Sequence, residues 1–106
     1  MQLELNTGEG METSPALERH VRDKLAGVER RFGERVTRVE VYLKDTNAGK
    51  GGVDTVCTIE AHPAGLSPVV VEAEAIDAYT ATHEGARKLE KALETRIARA
   101  QARNAY

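Results

Sequence analysis

Polar and apolar residues alternate from Gln2 to Asn6, with Leu3 and Leu5 on one side, and a period of two predicts a short strand. Thr7 to Thr13 holds Gly8 and Gly10 and reads as a loop. From Pro15 the period changes. Leu17, Val21, Leu25, Val28 and Phe32 form one stripe of an amphipathic helix ending near Phe32. Ser14 suits its N-cap. Pro15 suits the first helical position, where its missing N–H would have no partner, and Gly33 stands where a C-cap glycine belongs. Alternation returns over Val36 to Lys44, with Val39, Val41 and Leu43 on one side and Arg38, Glu40, Tyr42 and Lys44 on the other. Asp45 to Gly52, with Asn47 and three glycines, predicts a turn. Val53 to His62 is a third strand with Val53, Thr55, Cys57 and Ile59 on one face, broken by Pro63-Ala64-Gly65. Pro68 to Ile76 is a fourth, with Val69, Val71, Ala73 and Ala75 facing in. Asp77 caps a second helix, whose stripe of Tyr79, Thr82, Ala86, Leu89, Leu93, Ile97 and Ala100 runs to about Arg103.

The order is therefore β-α-β-β-β-α. The first helix links two parallel strands by a crossover, and the last three strands form a meander. Both helices must cover one face of the sheet, so the predicted fold is a two-layer α+β domain: a four-stranded mixed sheet with two helices packed on one face. At 106 residues the chain is read as a single domain, 1–106. Only 4% of residues are aromatic, so Val, Leu, Ile and Ala must build the core. Cys57 is the one cysteine and allows no internal disulfide. No signal peptide opens the chain, and no run approaches the roughly 18 apolar residues of a membrane span. These features predict a soluble cytoplasmic protein with no membrane partner.

The net charge of −2 argues against nucleic-acid binding, but its distribution argues otherwise. Ser14 to Arg35 holds six bases (Arg19, Arg22, Lys24, Arg30, Arg31, Arg35) and four acids. Asp77 to Arg103 holds six more bases (Arg87, Lys88, Lys91, Arg96, Arg99, Arg103) and again four acids. The helical segments thus sum to +4 and the remainder of the chain to −6. At about 100° per residue, Lys88, Lys91, Arg96, Arg99 and Arg103 fall on one side of the second apolar stripe, and Glu90 and Glu94 on the other. In the first helix Arg19, His20, Lys24, Arg30 and Arg31 share a flank that Asp23 interrupts. If the helices pack side by side, these basic flanks are expected to merge. A solvated charged flank, supported by pairs such as Glu84–Lys88, is the plainer reading of the same pattern. The outward sheet face carries Glu4, Glu40, Asp54, Glu60, Glu72 and Glu74, with Tyr42 its one aromatic. That face does not suit base stacking, so any RNA contact is expected through the helices and chiefly to phosphates.

Catalytic and metal signals are absent from the pattern. Gly49-Lys50-Gly51-Gly52 lacks the spacing of a phosphate loop and precedes a strand, so it reads as a hairpin turn. His20, His62 and His83 have no metal-ligand spacing beyond a weak His20–Asp23 pair. Cys57 alternates with core positions, Ser14 and Ser67 adjoin prolines without a nearby base, and Glu72 and Glu74 share an open face. No enzyme, cofactor, metal or small-molecule substrate is implied.

Two stretches carry more information. Thr13-Ser14-Pro15-Ala16-Leu17-Glu18-Arg19-His20-Val21-Arg22-Asp23-Lys24-Leu25 resembles the first helix of the ribosome hibernation promoting factor and ribosome-associated inhibitor A family. Asp77-Ala78-Tyr79-Thr80-Ala81, followed by Arg87-Lys88-Leu89-Glu90-Lys91-Ala92-Leu93, resembles its second helix, and the element order agrees over essentially the whole chain. The resemblance implies binding to the small ribosomal subunit and its rRNA in the decoding channel. Messenger and transfer RNA would be excluded there and translation stopped under starvation or in stationary phase. Lys24, Lys88 and Lys91 match the family's basic positions best, with Arg19, Arg30, Arg31, Arg96 and Arg99 as neighbours on the same flanks. Asp77 and Tyr79 match its signature and read as a helix cap and a core aromatic with a wet hydroxyl. Thr82-His83, Gly85, Glu18 and Glu94 depart from the pattern; Gly85 alone should cost about 1 kcal/mol relative to Ala in a helix. By elimination the chain looks most like the short hibernation-promoting form. A protein-interaction module using the acidic sheet face, and a general RNA-binding domain, remain the alternatives.

Overall fold

The computed structural model describes residues 1–8, 11–46 and 55–104. Its elements are β1 (Gln2–Thr7), α1 (Pro15–Phe32), a 3-10 turn (Gly33–Arg35), β2 (Val36–Asp45), β3 (Thr55–Pro63), β4 (Val69–Ala75) and α2 (Ala78–Asn104). The expected turn and the start of the third strand at Val53 fall largely on 47–54, outside the described residues. The sheet runs β1-β2-β3-β4, with β1 parallel to β2 and the other pairs antiparallel. Both helices lie on one face, as the alternation of the strands requires.

Local chemistry sets the helix ends. The Leu17 amide donates to Ser14 Oγ at 3.1 Å, closing the first turn of α1. Gly33 has a φ of +57° and its amide donates to the Glu29 carbonyl, a conformation that a Cβ would strain. At α2 the Thr80 amide donates to Asp77 Oδ1 at 2.7 Å. That hydrogen bond lowers the Asp77 pKa, with the Thr80 side chain and nearby His20 adding to the effect.

Two departures from simple alternation have physical causes. Val36 is buried out of phase with Val39, Val41 and Leu43, because the β2–β3 register shifts between Val36 and Arg38. β3 takes in Pro63, one residue beyond the expected end at His62. Pro63 pairs with Val36 as the strand's last residue, where its missing N–H is tolerated.

The core is one layer between helices and sheet. Leu25, Val28, Leu89 and Leu93 from the helices meet Val39, Val41, Leu43, Cys57 and Ile59 from the sheet, all at 0% exposure. Each such side chain contributes about 1.5–3 kcal/mol by leaving water. Gly85 is part of this contact. A Cβ there would lie 3.0 Å from Ile59 Cδ1 and 3.2 Å from Cys57 Sγ, so the glycine lets α2 approach β3 closely. Thr82 is fully buried beside it, and its hydroxyl donates to the Ala78 carbonyl at 2.7 Å. Burial pushes the Cys57 thiol up to about 11, so it is a small core residue. Tyr79 corrects the sequence reading. It is 43% exposed and not a core aromatic, because Ala81, Thr82 and Ala86 fill the space under the first turns of α2.

Replacing Gly85 with Val should lower unfolding stability by about 1–3 kcal/mol, measured by denaturant titration, because its branches must displace Ile59 and Cys57. Asp77 carries a lowered pKa in the folded state, so the stability it adds is present above the ordinary carboxylate range and is lost as pH falls through the lowered value. Asp77→Asn keeps a capping oxygen without the charge. Its melting temperature should therefore fall less steeply on acidification than that of the parent chain.

Candidate nucleic-acid interface

The rotation of α2 on the sheet decides where its charges go. With Leu89 and Leu93 buried, Lys88, Lys91, Arg96 and Arg99 point to the β4 side of the helix. Together with Val69, Val70, Ala92 and Thr95 they line an open groove of about 470 Å³ between α2 and β4. A second hollow, lined by Arg96, Arg99, Ala102 and Arg103, continues it along the last turns of α2. Among the described residues no acid lines either hollow.

Two of these cations are held in place. Lys88 Nζ donates to the Glu72 carbonyl at 2.8 Å. Arg96 Nη1 donates to the Ser67 carbonyl at 2.8 Å and contacts Ser67 Oγ at 3.0 Å. Both bonds use main-chain carbonyls at or beside the edge strand β4, so they orient the side chains and also guard that edge against pairing with another chain. Among the described residues no carboxylate pairs with either cation, and each keeps donors for a phosphate. The sequence did not signal these tethers, because Ser67 and the Glu72 carbonyl reach α2 only once β4 lies beneath it.

The basic flank of α1 sits differently, and the expected merger does not occur. His20, Lys24, Gly27 and Arg31 recur at helical spacing and face α2. Gly27 and Arg31 meet acids there. Arg31 Nη2 lies 2.6 Å from Glu94 Oε2, and Arg31 Nη1 lies 3.8 Å from Glu90 Oε1. A Cβ on Gly27 would come within 3.2 Å of Glu90 Oε2. His20 Nε2 donates to the Tyr79 carbonyl at 3.0 Å, and the two rings meet edge to face at 4.9 Å. The physical reason is the apolar stripe of α2. Burying it sends the helix's bases toward β4 and turns Glu90 and Glu94 toward α1, between the two basic flanks. Arg31 is committed to that seam, in a partly exposed ion pair worth less than about 1 kcal/mol. Lys24 is half-buried in the same row, whereas Arg19 and Arg30 are exposed on the outer side of α1.

The open face of the sheet also differs from expectation. Glu40 is 8% exposed and not a solvated acid. Arg38 Nη2 lies 2.8 Å from its Oε1, and the Tyr42 hydroxyl donates to its Oε2 at 2.5 Å. That hydrogen bond, with the surrounding carboxylates, raises the Tyr42 pKa. His62 Nε2 donates to Glu60 Oε2 at 3.0 Å. Glu40, Glu60 and His62 are the one group among the described residues whose ligand atoms lie close enough together for a metal ion. Both Glu40 oxygens are already engaged, one by a guanidinium that a dication would have to displace, so the group is a charge network. Its members come from paired positions on β2 and β3, and residue spacing along one element could not reveal them.

Among the described residues no helix is long and apolar enough to cross a membrane. Comparison with solved structures finds the N-terminal domain of Protein Y from Thermus thermophilus, 27% identical, with a TM-score of 0.69 over 86% of this chain and 93% of that one. A ribosomal subunit interface protein from Coxiella burnetii shares the fold at 21% identity, with a TM-score of 0.74 over 92% of this chain and 99% of that one. No curated protein matches the chain. The family model described as sigma 54 modulation protein / S30EA ribosomal protein matches residues 6–101. The chain belongs to that family, the non-catalytic ribosome hibernation and interface proteins that its two helix motifs resemble.

Proposed function

We propose that residues 1–106 act as one cytoplasmic domain that binds the small ribosomal subunit in its decoding channel, excludes messenger and transfer RNA, and so idles translation under stress. The observation that carries this reading is the acid-free groove on α2, where Lys88, Lys91, Arg96 and Arg99 present four cations along one side of a single rigid helix. Cations ranged along one side of a helix suit the phosphates of folded rRNA, with binding free energy drawn largely from counterion release. Arg19 and Arg30 on the outer side of α1 extend the contact, and Lys24 adds charge at the seam. Arg31 serves mainly to hold α1 beside α2 through Glu90 and Glu94. The block is steric: no bond is made or broken, and no cofactor takes part.

Sedimentation with isolated small subunits tests the assignment. The parent chain should bind saturably, about one per subunit, and transfer RNA should compete. Lys88→Glu/Lys91→Glu, checked for an unchanged melting temperature, should abolish cosedimentation, whereas Arg31→Ala should largely retain it. The four groove cations alone should make the logarithm of affinity fall with the logarithm of salt concentration at a slope on the order of −3, and contacts from α1 should steepen it. Undiminished binding by the double variant would refute the groove assignment. Equal affinity for unrelated duplex RNA would instead make the protein a general RNA binder.

A further inference from the structure

The helices cover one face of the sheet and leave the other uncovered. We infer that this open face is a second binding surface, for an extended basic polypeptide segment that presents lysines or arginines and apolar side chains in turn along one and the same side.

Strand register builds the surface. Glu4, Glu40, Glu60 and Val70 stand in one row across the four strands. Asn6, Tyr42, Thr58 and Glu72 form the next, and Lys44, Val56 and Glu74 a third. Across these rows and the adjoining Gln2, Arg38 and His62, the five carboxylates face two permanent cations, Arg38 and Lys44, so the surface is net acidic. Placing Glu4, Glu40 and Glu60 directly opposite one another opposes sheet stability. Arg38 and Tyr42 offset this only at Glu40, and His62 only at Glu60. Glu4, Glu72 and Glu74 are exposed and pair with no cation among the described residues.

Apolar exposure points to the same face independently. Among the described residues the large hydrophobic ones left exposed are Met1, Tyr42 at 42%, Val70 at 57%, Ile76 at 68% and Tyr79. Tyr42 and Val70 stand on the open face, and Ile76 follows β4 in phase with Val70, Glu72 and Glu74. Carboxylates repel a phosphate backbone, so this face does not suit RNA. A simple cation would leave the apolar residues unused. An extended polypeptide repeats its same-side side chains about every 7 Å, which matches the spacing of alternate residues along these strands. Its basic residues can meet Glu60, Glu72 and Glu74 while apolar ones cover Tyr42, Val70 and Ile76. The two surfaces meet at Val70 on the edge strand, but Tyr42, Glu60, Glu72 and Glu74 line no part of the α2 groove, and the inference does not depend on the RNA reading.

The test is titration of the isotope-labelled full chain, followed by backbone amide resonances. The probes are three short peptides with serine at every second residue, whose same-side positions between the serines alternate lysine and leucine in the first, lysine and serine in the second, and glutamate and leucine in the third. The lysine–leucine peptide should shift amides of β3 and β4 and leave α1 and the outer side of α2 unmoved. Its affinity should fall about tenfold in Glu72→Lys/Glu74→Lys, a change at exposed positions that leaves the circular dichroism spectrum unaltered. The lysine–serine peptide should bind about as much more weakly, and the glutamate–leucine peptide should not bind. Saturating RNA should leave the β3 shifts in place. Equal binding of both lysine peptides, shifts confined to the helices, displacement by RNA, or an unchanged affinity in the double variant would each overturn the inference.

Discussion

The rotation of α2 about its own axis is the constraint on which the charge distribution depends. Leu89 and Leu93 are fully buried, and Gly85 brings the helix close over Cys57 and Ile59. Turning α2 by one residue position, about 100°, would lift Leu89 and Leu93 out of the core at about 1.5–3 kcal/mol each, so the rotation is fixed. Everything charged on α2 follows from that anchoring. Lys88, Lys91, Arg96 and Arg99 are delivered to the β4 side, and Glu90 and Glu94 to the seam with α1. Binding chemistry on the surface is thus set by apolar contacts in the core.

The outcome is a molecule with two electrostatic faces. Its helix layer carries a basic groove whose lysine and arginine heads rest on main-chain carbonyls of the β4 region. Its open sheet face is acidic and knit together by Arg38, Glu40, Tyr42, Glu60 and His62. The seam between the helices is nearly neutral, because Arg31 lies against Glu90 and Glu94. A modest net charge of −2 therefore conceals opposed fields, and the sign of the whole chain says little about its partner.

Much of this was legible in the sequence, because burial follows period. The alternating strands, the two helical stripes, Ser14 and Asp77 as caps, and the order of elements all follow from side-chain spacing and backbone chemistry. The side of α2 that bears Lys88, Lys91 and Arg99 was legible for the same reason. Relations between elements were not. Helical angles group Lys24 with Arg31, but only the packed structure shows that this row meets Glu90 and Glu94. Tyr79 falls on the apolar stripe by angle, yet smaller residues fill the space beneath α2 and leave its ring against His20. Glu40 falls on the outward side by parity, yet Arg38 and Tyr42 close over it. Gly85 breaks helix propensity for a reason that lies on β3, in the side chains of Cys57 and Ile59.

The central claim is that the β4-side flank of α2 faces rRNA and the open sheet face does not. Photo-crosslinking from single positions on the small subunit tests it most directly. A photoreactive residue introduced at position 91, on the groove, should give adducts with rRNA of the small subunit that transfer RNA suppresses. The same residue at position 74, on the sheet, should give none with rRNA. Efficient rRNA adducts from position 74, with none from position 91, would reverse the proposed orientation and contradict the account.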